Sequence, residues 1–111
     1  MELDLINILM RKRKFVQHDT IFAYEEHERE GELKALSEMI DDVSIMNEKE
    51  FVDKYLEIIS DISKKFETGM VHGEVEIDRL SYYNNMIVWV LKLVNPIYEY
   101  DLDELDIEIN H

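Results

Sequence analysis

Carboxylates are the side chains most able to carry chemistry in this sequence, and four of them form two pairs with the same spacing. Glu25 and Glu28 lie three residues apart, and so do Glu50 and Asp53. Residues three apart on a helix share a face, so each pair could present its oxygens to one cation. If the two helices faced each other, the four acids could hold Mg²⁺, which prefers oxygen ligands.

This E-x-x-E and E-x-x-D pattern resembles the signature of the all-α nucleoside triphosphate pyrophosphatases. The resemblance covers about residues 22–60. It implies two facing helices whose acids hold Mg²⁺ against the phosphates of a nucleotide. The sequence departs from that family in lacking basic or Asn residues at clearly matching places. A Mg²⁺-dependent pyrophosphatase-like enzyme is therefore one alternative for this protein.

Other common catalytic arrangements are missing from the sequence. The chain has no Cys, no G-x-S-x-G motif and only three scattered glycines, so thiol and serine nucleophiles and a phosphate-binding loop are excluded. Its four histidines form no H-x-x-x-H and no paired E-x-x-H of the kind that closes a metal site. Apart from the Mg²⁺ alternative, we expect no enzyme activity and no cofactor.

Charge is the strongest signal in the sequence. The chain has 26 Asp and Glu against 12 Lys and Arg, which gives a formal net charge of -14. A basic run at residues 11–14 leaves the first fourteen residues at +2, so the remainder carries -16. Such a field repels nucleic acid and anionic membranes and speeds encounter with basic surfaces. We therefore expect a protein partner with a basic surface, and no direct binding to nucleic acid or membrane.

The segment 97–111 contains six acids and no Lys or Arg, and we interpret it as an acidic C-terminal segment or arm. Acids interleaved with tyrosines can imitate the charge spacing of a phosphate backbone while the rings act as buried anchors. The predicted partner-binding residues are Tyr98, Glu99, Tyr100, Asp101, Asp103, Glu104 and Asp106 of this segment, with Glu25, Glu26 and Glu28.

The leading functional hypothesis is a non-enzymatic acidic protein that occludes a nucleic-acid-binding or nuclease surface of its partner. Immunity proteins and virus-encoded DNA mimics that block host defence act in this way. A helical scaffold that assembles with itself through an apolar patch around Trp89 is a further alternative. The lack of Cys, of a membrane-length apolar run and of an apolar segment after the basic run leads us to expect a cytoplasmic location, in a host cell if the protein is viral.

The candidate binding residues must be positioned by a folded domain. The hydrophobic patterning of the 111 residues predicts a single mainly α domain, a bundle of about four helices. The first helix covers about residues 3–17, and the second runs from a cap at Asp19 or Thr20 to about Val43. The acidic stretch 25–31 is either a solvated part of that helix or a break near Gly31. A capping box of Asn47 and Glu50 starts the third helix, which Gly69 ends.

The last third of the sequence leaves two interpretations open. Residues 86–94 are the most apolar stretch, and we predict a central helix there, capped by Asp78 or Ser81. Residues 71–77 alternate in part and could form a short β-strand. The alternative is an α+β fold in which 71–77 and 86–94 pair as strands, because periodicity does not separate a buried helix from a buried strand.

Overall fold

A computed structural model describes residues 3–19 and 24–94, which fold into a small helical bundle. Its helices are α1 (Leu3–His18), α2 (Glu26–Val43), α3 (Glu48–Glu67) and α4 (Glu74–Val94). The predicted mainly α class is confirmed. No strand forms in the described ranges, so the alternative of a short strand at 71–77, and with it the α+β fold, is not found. None of these helices is both long and apolar enough to cross a membrane.

The start of α2 differs from the prediction. The helix begins at Glu26 and not after Asp19, which ends the first described range, while Thr20 lies outside the described residues. A capping box formed by Glu25 and Glu28 starts it, in which the backbone N–H of Glu25 donates to Oε1 of Glu28 at 2.9 Å. The acidic stretch 25–31 is therefore the first part of α2, and the helix continues through Gly31 without a break.

The predicted boundaries of α3 are confirmed. Oδ1 of Asn47 accepts from the backbone N–H of Glu50 at 2.9 Å, and Oε1 of Glu50 accepts from the backbone N–H of Asn47 at 3.2 Å. At the other end the backbone passes through Gly69 with a φ of 70°, a conformation that glycine adopts without steric cost. Both helix ends thus follow from local sequence signals.

The fourth helix begins earlier than predicted. Gly73 has a φ of 85°, and α4 starts directly after it at Glu74, so Asp78 and Ser81 lie inside the helix and do not cap it. Acids in the first turn are favourable there because the N-terminus of a helix carries partial positive charge. The predicted helix at 86–94 is confirmed as the last part of α4, where packing outweighs the strand preference of its β-branched residues.

Helix α2 is the centre of the bundle, packed against α1 on one side and most extensively against α4 on the other, while α3 packs on α4. Side-chain contacts show that α2 and α4 run parallel: His27 meets Asp78 near their starts, and Glu38 meets Tyr83 further along. By contrast α1 and α2 run antiparallel, since Arg13 contacts Ser37. The fully buried core side chains come from all four helices and include Leu9, Val16, Leu36, Met39, Phe51, Tyr55, Ile59, Ile87 and Leu91.

Close contact between α2 and α4 depends on Gly31. This residue is buried, and a Cβ atom added to it would lie 2.3 Å from the carbonyl oxygen of Arg79 and 3.2 Å from the backbone nitrogen of Tyr83. Because both neighbours are backbone atoms of α4, no side-chain rotation could make room. Only glycine lets the two parallel helices approach this closely, and the contact fixes the position of their N-termini relative to each other.

Candidate protein-binding face

Two helix N-termini come together at one end of the bundle, since α2 and α4 are parallel neighbours. Both first turns are rich in acids. We call this set of carboxylates the acidic end; it comprises Glu25, Glu26, Glu28, Glu30, Glu74, Glu76 and Asp78. Three of these residues were predicted to bind a partner, and the structure adds the acids of α4 to them.

The basic side chains at this end contact acids of the same chain. Nε2 of His27, whose side chain is 14% exposed, lies 3.1 Å from Oδ2 of Asp78 and 3.5 Å from Oε2 of Glu25. The guanidinium of Arg79 binds Glu30 at 3.2 Å and also contacts Glu76. These contacts tie α2 to α4, and the acids still outnumber the cations, so the acidic end retains a negative charge.

Arg29 faces a different part of the structure. Its guanidinium donates to the backbone carbonyls of Val16 and Asp19, the latter at 3.0 Å. These carbonyls belong to the last turns and the end of α1, where a cation is favourable. Arg29 therefore holds α1 against α2 and adds little positive charge to the surface of the acidic end.

Two tyrosines lie among these acids and are partly exposed, as expected of anchors. Burial, together with a hydrogen bond to Glu28, raises the pKa of Tyr82 to about 12. Burial and a hydrogen bond with Glu32 raise the pKa of Tyr24 above its usual 10.0. Burial also raises the pKa of Glu32, against the opposing effect of the Tyr24 hydrogen bond. The mixture of tyrosine and acid predicted for the C-terminal segment thus also occurs at the acidic end.

The acids at this end differ in how available they are. Glu28 caps its helix and binds Tyr82, and Glu30 and Glu76 bind Arg79. Glu25, Glu26 and Glu74 are exposed at the tips of the two helices. The exposed acids are the ones a partner would meet first.

The predicted partner-binding residues of the C-terminal segment lie outside the described residues. They are Tyr98, Glu99, Tyr100, Asp101, Asp103, Glu104 and Asp106. Their assignment stays a prediction from the sequence.

The structure does not bring together the four acids of the pyrophosphatase-like pattern. Glu28 and Glu50 are each the third residue of their own helix, where both serve in capping boxes. The early part of α3 lies beside the end of α2, where Lys54 binds Asp42, whereas Glu25 and Glu28 lie at the start of α2. The two pairs are therefore separated by most of the length of that helix. Asp53 binds Lys49 at 2.7 Å. Within the described ranges no three acidic or histidine side chains are placed to hold a metal ion.

Comparison with known proteins gives no further guide to function. No protein-family model, curated protein or solved structure matches this chain.

Proposed function

We propose that the protein is a non-enzymatic acidic binding protein whose acidic end docks on a basic surface of a protein partner and covers it. The observation that carries this proposal is the parallel packing of α2 and α4, which gathers the carboxylates of two helix starts at one end. A surface that binds nucleic acid or forms a nuclease cleft is basic and matches such an array.

The negative charge of the acidic end supports a partner with a basic surface. The exposed carboxylates of Glu25, Glu26 and Glu74 lie at the helix tips, and the nearby basic side chains of His27 and Arg79 already contact acids of this chain. Complementary charge mainly raises the rate of encounter and selects the partner, while buried aromatic anchors supply much of the affinity. Tyr24 and Tyr82, which are partly exposed beside the acids, are the described residues able to act as anchors.

The test uses the tagged full-length chain as bait, with charge reversal at two exposed positions. Glu26→Lys with Glu74→Lys changes the acidic end without removing a capping box or the Arg79 bridges. The matched control is Glu57→Lys with Asp61→Lys on the exposed face of α3, which alters the net charge equally. Quantitative mass spectrometry would compare the proteins captured from the native host.

We expect a basic protein that the unchanged chain and the α3 control both retain, and that the acidic-end variant captures at least tenfold less. Duplex DNA should displace it, since both ligands would compete for one basic surface. Equal loss in the two variants would attribute capture to overall charge and contradict the proposal. Unchanged capture by the acidic-end variant would exclude this face as the docking surface.

A second candidate function is self-assembly, favoured by an exposed apolar patch between α1 and α4. Nζ of Lys12 lies 5.3 Å from the ring centre of Phe15 and 5.1 Å from that of Trp89, so the three side chains form one surface cluster. Phe15 is 43% exposed and Trp89 is 37% exposed. Light scattering at rising concentration tests this candidate, since a homo-oligomer should form and Trp89→Gln should dissociate it. A monomer at millimolar concentration would count against it.

A further inference from the structure

A cleft of about 510 Å³ opens between α2, α4 and the connection that joins α3 to α4. Its size falls within the range of ~300–1,000 Å³ that is typical of small-molecule sites. It is distinct from the patch at Trp89, because neither Trp89 nor Phe15 lines it.

Apolar groups make up much of the cleft wall. Met70 and Val71 come from the α3–α4 connection, and Leu80 and Tyr83 come from α4. Gly31 contributes bare backbone from α2, so no side chain projects from that position into the space. The hydroxyl of Tyr83 donates to Glu38 at 2.5 Å, which holds the ring in place. The wall therefore offers a fixed apolar surface to a ligand.

Cationic side chains complete the cleft. Lys34 reaches it from α2 and Lys65 from the last turn of α3. Neither lysine has an acid within ion-pair distance in the part of the chain that the structure describes. Nζ of Lys34 lies 5.2 Å from the ring centre of Tyr83. Two lysines without a carboxylate partner therefore line this one cleft beside its apolar wall.

The other charged groups of the wall largely balance one another. Arg79 is bound to Glu76, which also lines the cleft, and to Glu30. His72 adds a further nitrogen at the edge. The available charge at the cleft therefore comes mainly from Lys34 and Lys65.

We propose that this cleft binds a small amphipathic anion, a carboxylate carried on an aliphatic or aromatic body. The carboxylate would lie between Lys34 and Lys65, and the body would cover Leu80 and the ring of Tyr83. A single negative charge matches two lysines, whereas the net charge of -14 repels a polyanion such as nucleic acid. The cleft adjoins the acidic end, since Glu76 belongs to both, but its two lysines and its apolar wall are not part of the acidic end.

Decanoate is a suitable probe, with decanol and decyltrimethylammonium as neutral and cationic analogues of equal chain length. Each would be titrated into the ¹⁵N-labelled full-length chain below its micelle concentration, and binding followed by amide chemical shifts. We expect saturable decanoate binding with the largest shifts at residues 31–34 and 65–83. Decanol should bind at least tenfold more weakly, and the cationic analogue should not bind. Equal affinity for decanol and decanoate would overturn the proposal.

Substitutions locate the binding site. Lys34→Gln with Lys65→Gln should weaken decanoate binding at least tenfold. Lys64→Gln is the control for the Lys65 substitution: it removes one positive charge from the same helix turn, but Lys64 does not line the cleft. An equal loss with Lys64→Gln, or chemical shifts centred on Trp89, would refute the site. A last variant neutralises three acids of the C-terminal segment: Asp101→Asn, Asp103→Asn and Glu104→Gln. A tenfold rise in its affinity for decanoate would mean that this segment, and not a separate ligand, occupies the cleft, which would refute the proposal.

Discussion

Replacing Gly31 with alanine would set two opposing effects against each other at the contact between α2 and α4. Alanine is the better helix former and would favour an isolated helix by about 1 kcal/mol. Its Cβ, however, would lie 2.3 Å from the carbonyl oxygen of Arg79 and 3.2 Å from the backbone nitrogen of Tyr83. Since both atoms belong to the backbone of α4, the strain would be relieved only by moving one helix away from the other.

The structure indicates which effect prevails. Restoring an ordinary contact distance requires the helices to separate by about 1 Å, and a gap of this size forfeits roughly a quarter to a half of each atomic attraction it spans. Overpacking of a core typically costs about 1–3 kcal/mol, and here it affects the most extensive interface of the bundle. Setting a cost of about 3 kcal/mol against a gain of about 1 kcal/mol, we expect Gly31→Ala to lower the free energy of unfolding by about 2 kcal/mol.

Urea unfolding followed by circular dichroism at 222 nm measures this change, with thermal unfolding as a second reading. A loss of about 2 kcal/mol corresponds to a fall in Tm of roughly 10 °C in a domain of this size. Asp41→Ala is the control, because Asp41 is exposed on the same helix and tests helix propensity without the contact. A Gly31→Ala protein at least as stable as the unchanged chain would refute the close packing of α2 on α4.

Two further predictions concern single polar side chains. Asn47→Ala removes the acceptor for the backbone N–H of Glu50 and should cost about 1 kcal/mol in urea unfolding, with Ser44→Ala as a nearby control; an unchanged midpoint would contradict the capping role. For Asp42, burial raises the pKa, but hydrogen bonds from Lys54 at 2.6 Å and Tyr55 at 2.5 Å outweigh it and hold the pKa below 3.8. Its carboxylate therefore stabilises the fold above that pH, and the contribution is lost as pH falls through the lowered pKa. Asp42→Asn should reduce the loss of stability that occurs as the pH falls below 3.8, and an unchanged acid profile would exclude this linkage.

Helix ends were predictable where the capping residues are of a familiar type. Asn47 with Glu50 is such a pair, and the start of α3 followed from it. The start of α2 was missed because glutamate is not among the preferred N-cap residues, although Glu28 lies at the usual third position. Since capping boxes and metal-binding acid pairs both use a spacing of three residues, the same acids also suggested a metal site. Spacing alone does not separate the two roles.

The start of α4 was missed for a different reason. Val75 and Ile77 on either side of Glu76 alternate as in a strand, and this local pattern concealed the start signal of an acidic turn after Gly73. In the structure both apolar side chains belong to the first turn of α4 and are at least partly exposed. The alternation in sequence therefore does not correspond to one buried and one exposed face of a β-sheet.

Only part of the candidate site could be predicted from local sequence. Glu25, Glu26 and Glu28 were identified by their charge. Assigning Asp78 to the same surface requires its contact with His27, a residue 51 positions away. The cleft between Lys34 and Lys65 likewise depends on how α2, α3 and α4 pack, and no short motif in the sequence marks it. The residues that could not be predicted are brought to the site by contacts between helices that are distant in sequence, and local sequence patterns carry no information about such contacts.

The parallel pairing of α2 with α4 also has a consequence for how the chain folds. The two helices are separated in sequence by the whole of α3, and their contacts join residues 45 and 51 positions apart. Contacts between distant residues slow folding relative to a bundle built from neighbouring helices. During synthesis, the face of α2 around Gly31 stays uncovered until α4 has left the ribosome, so this stage of folding is the one most exposed to aggregation and most dependent on chaperones.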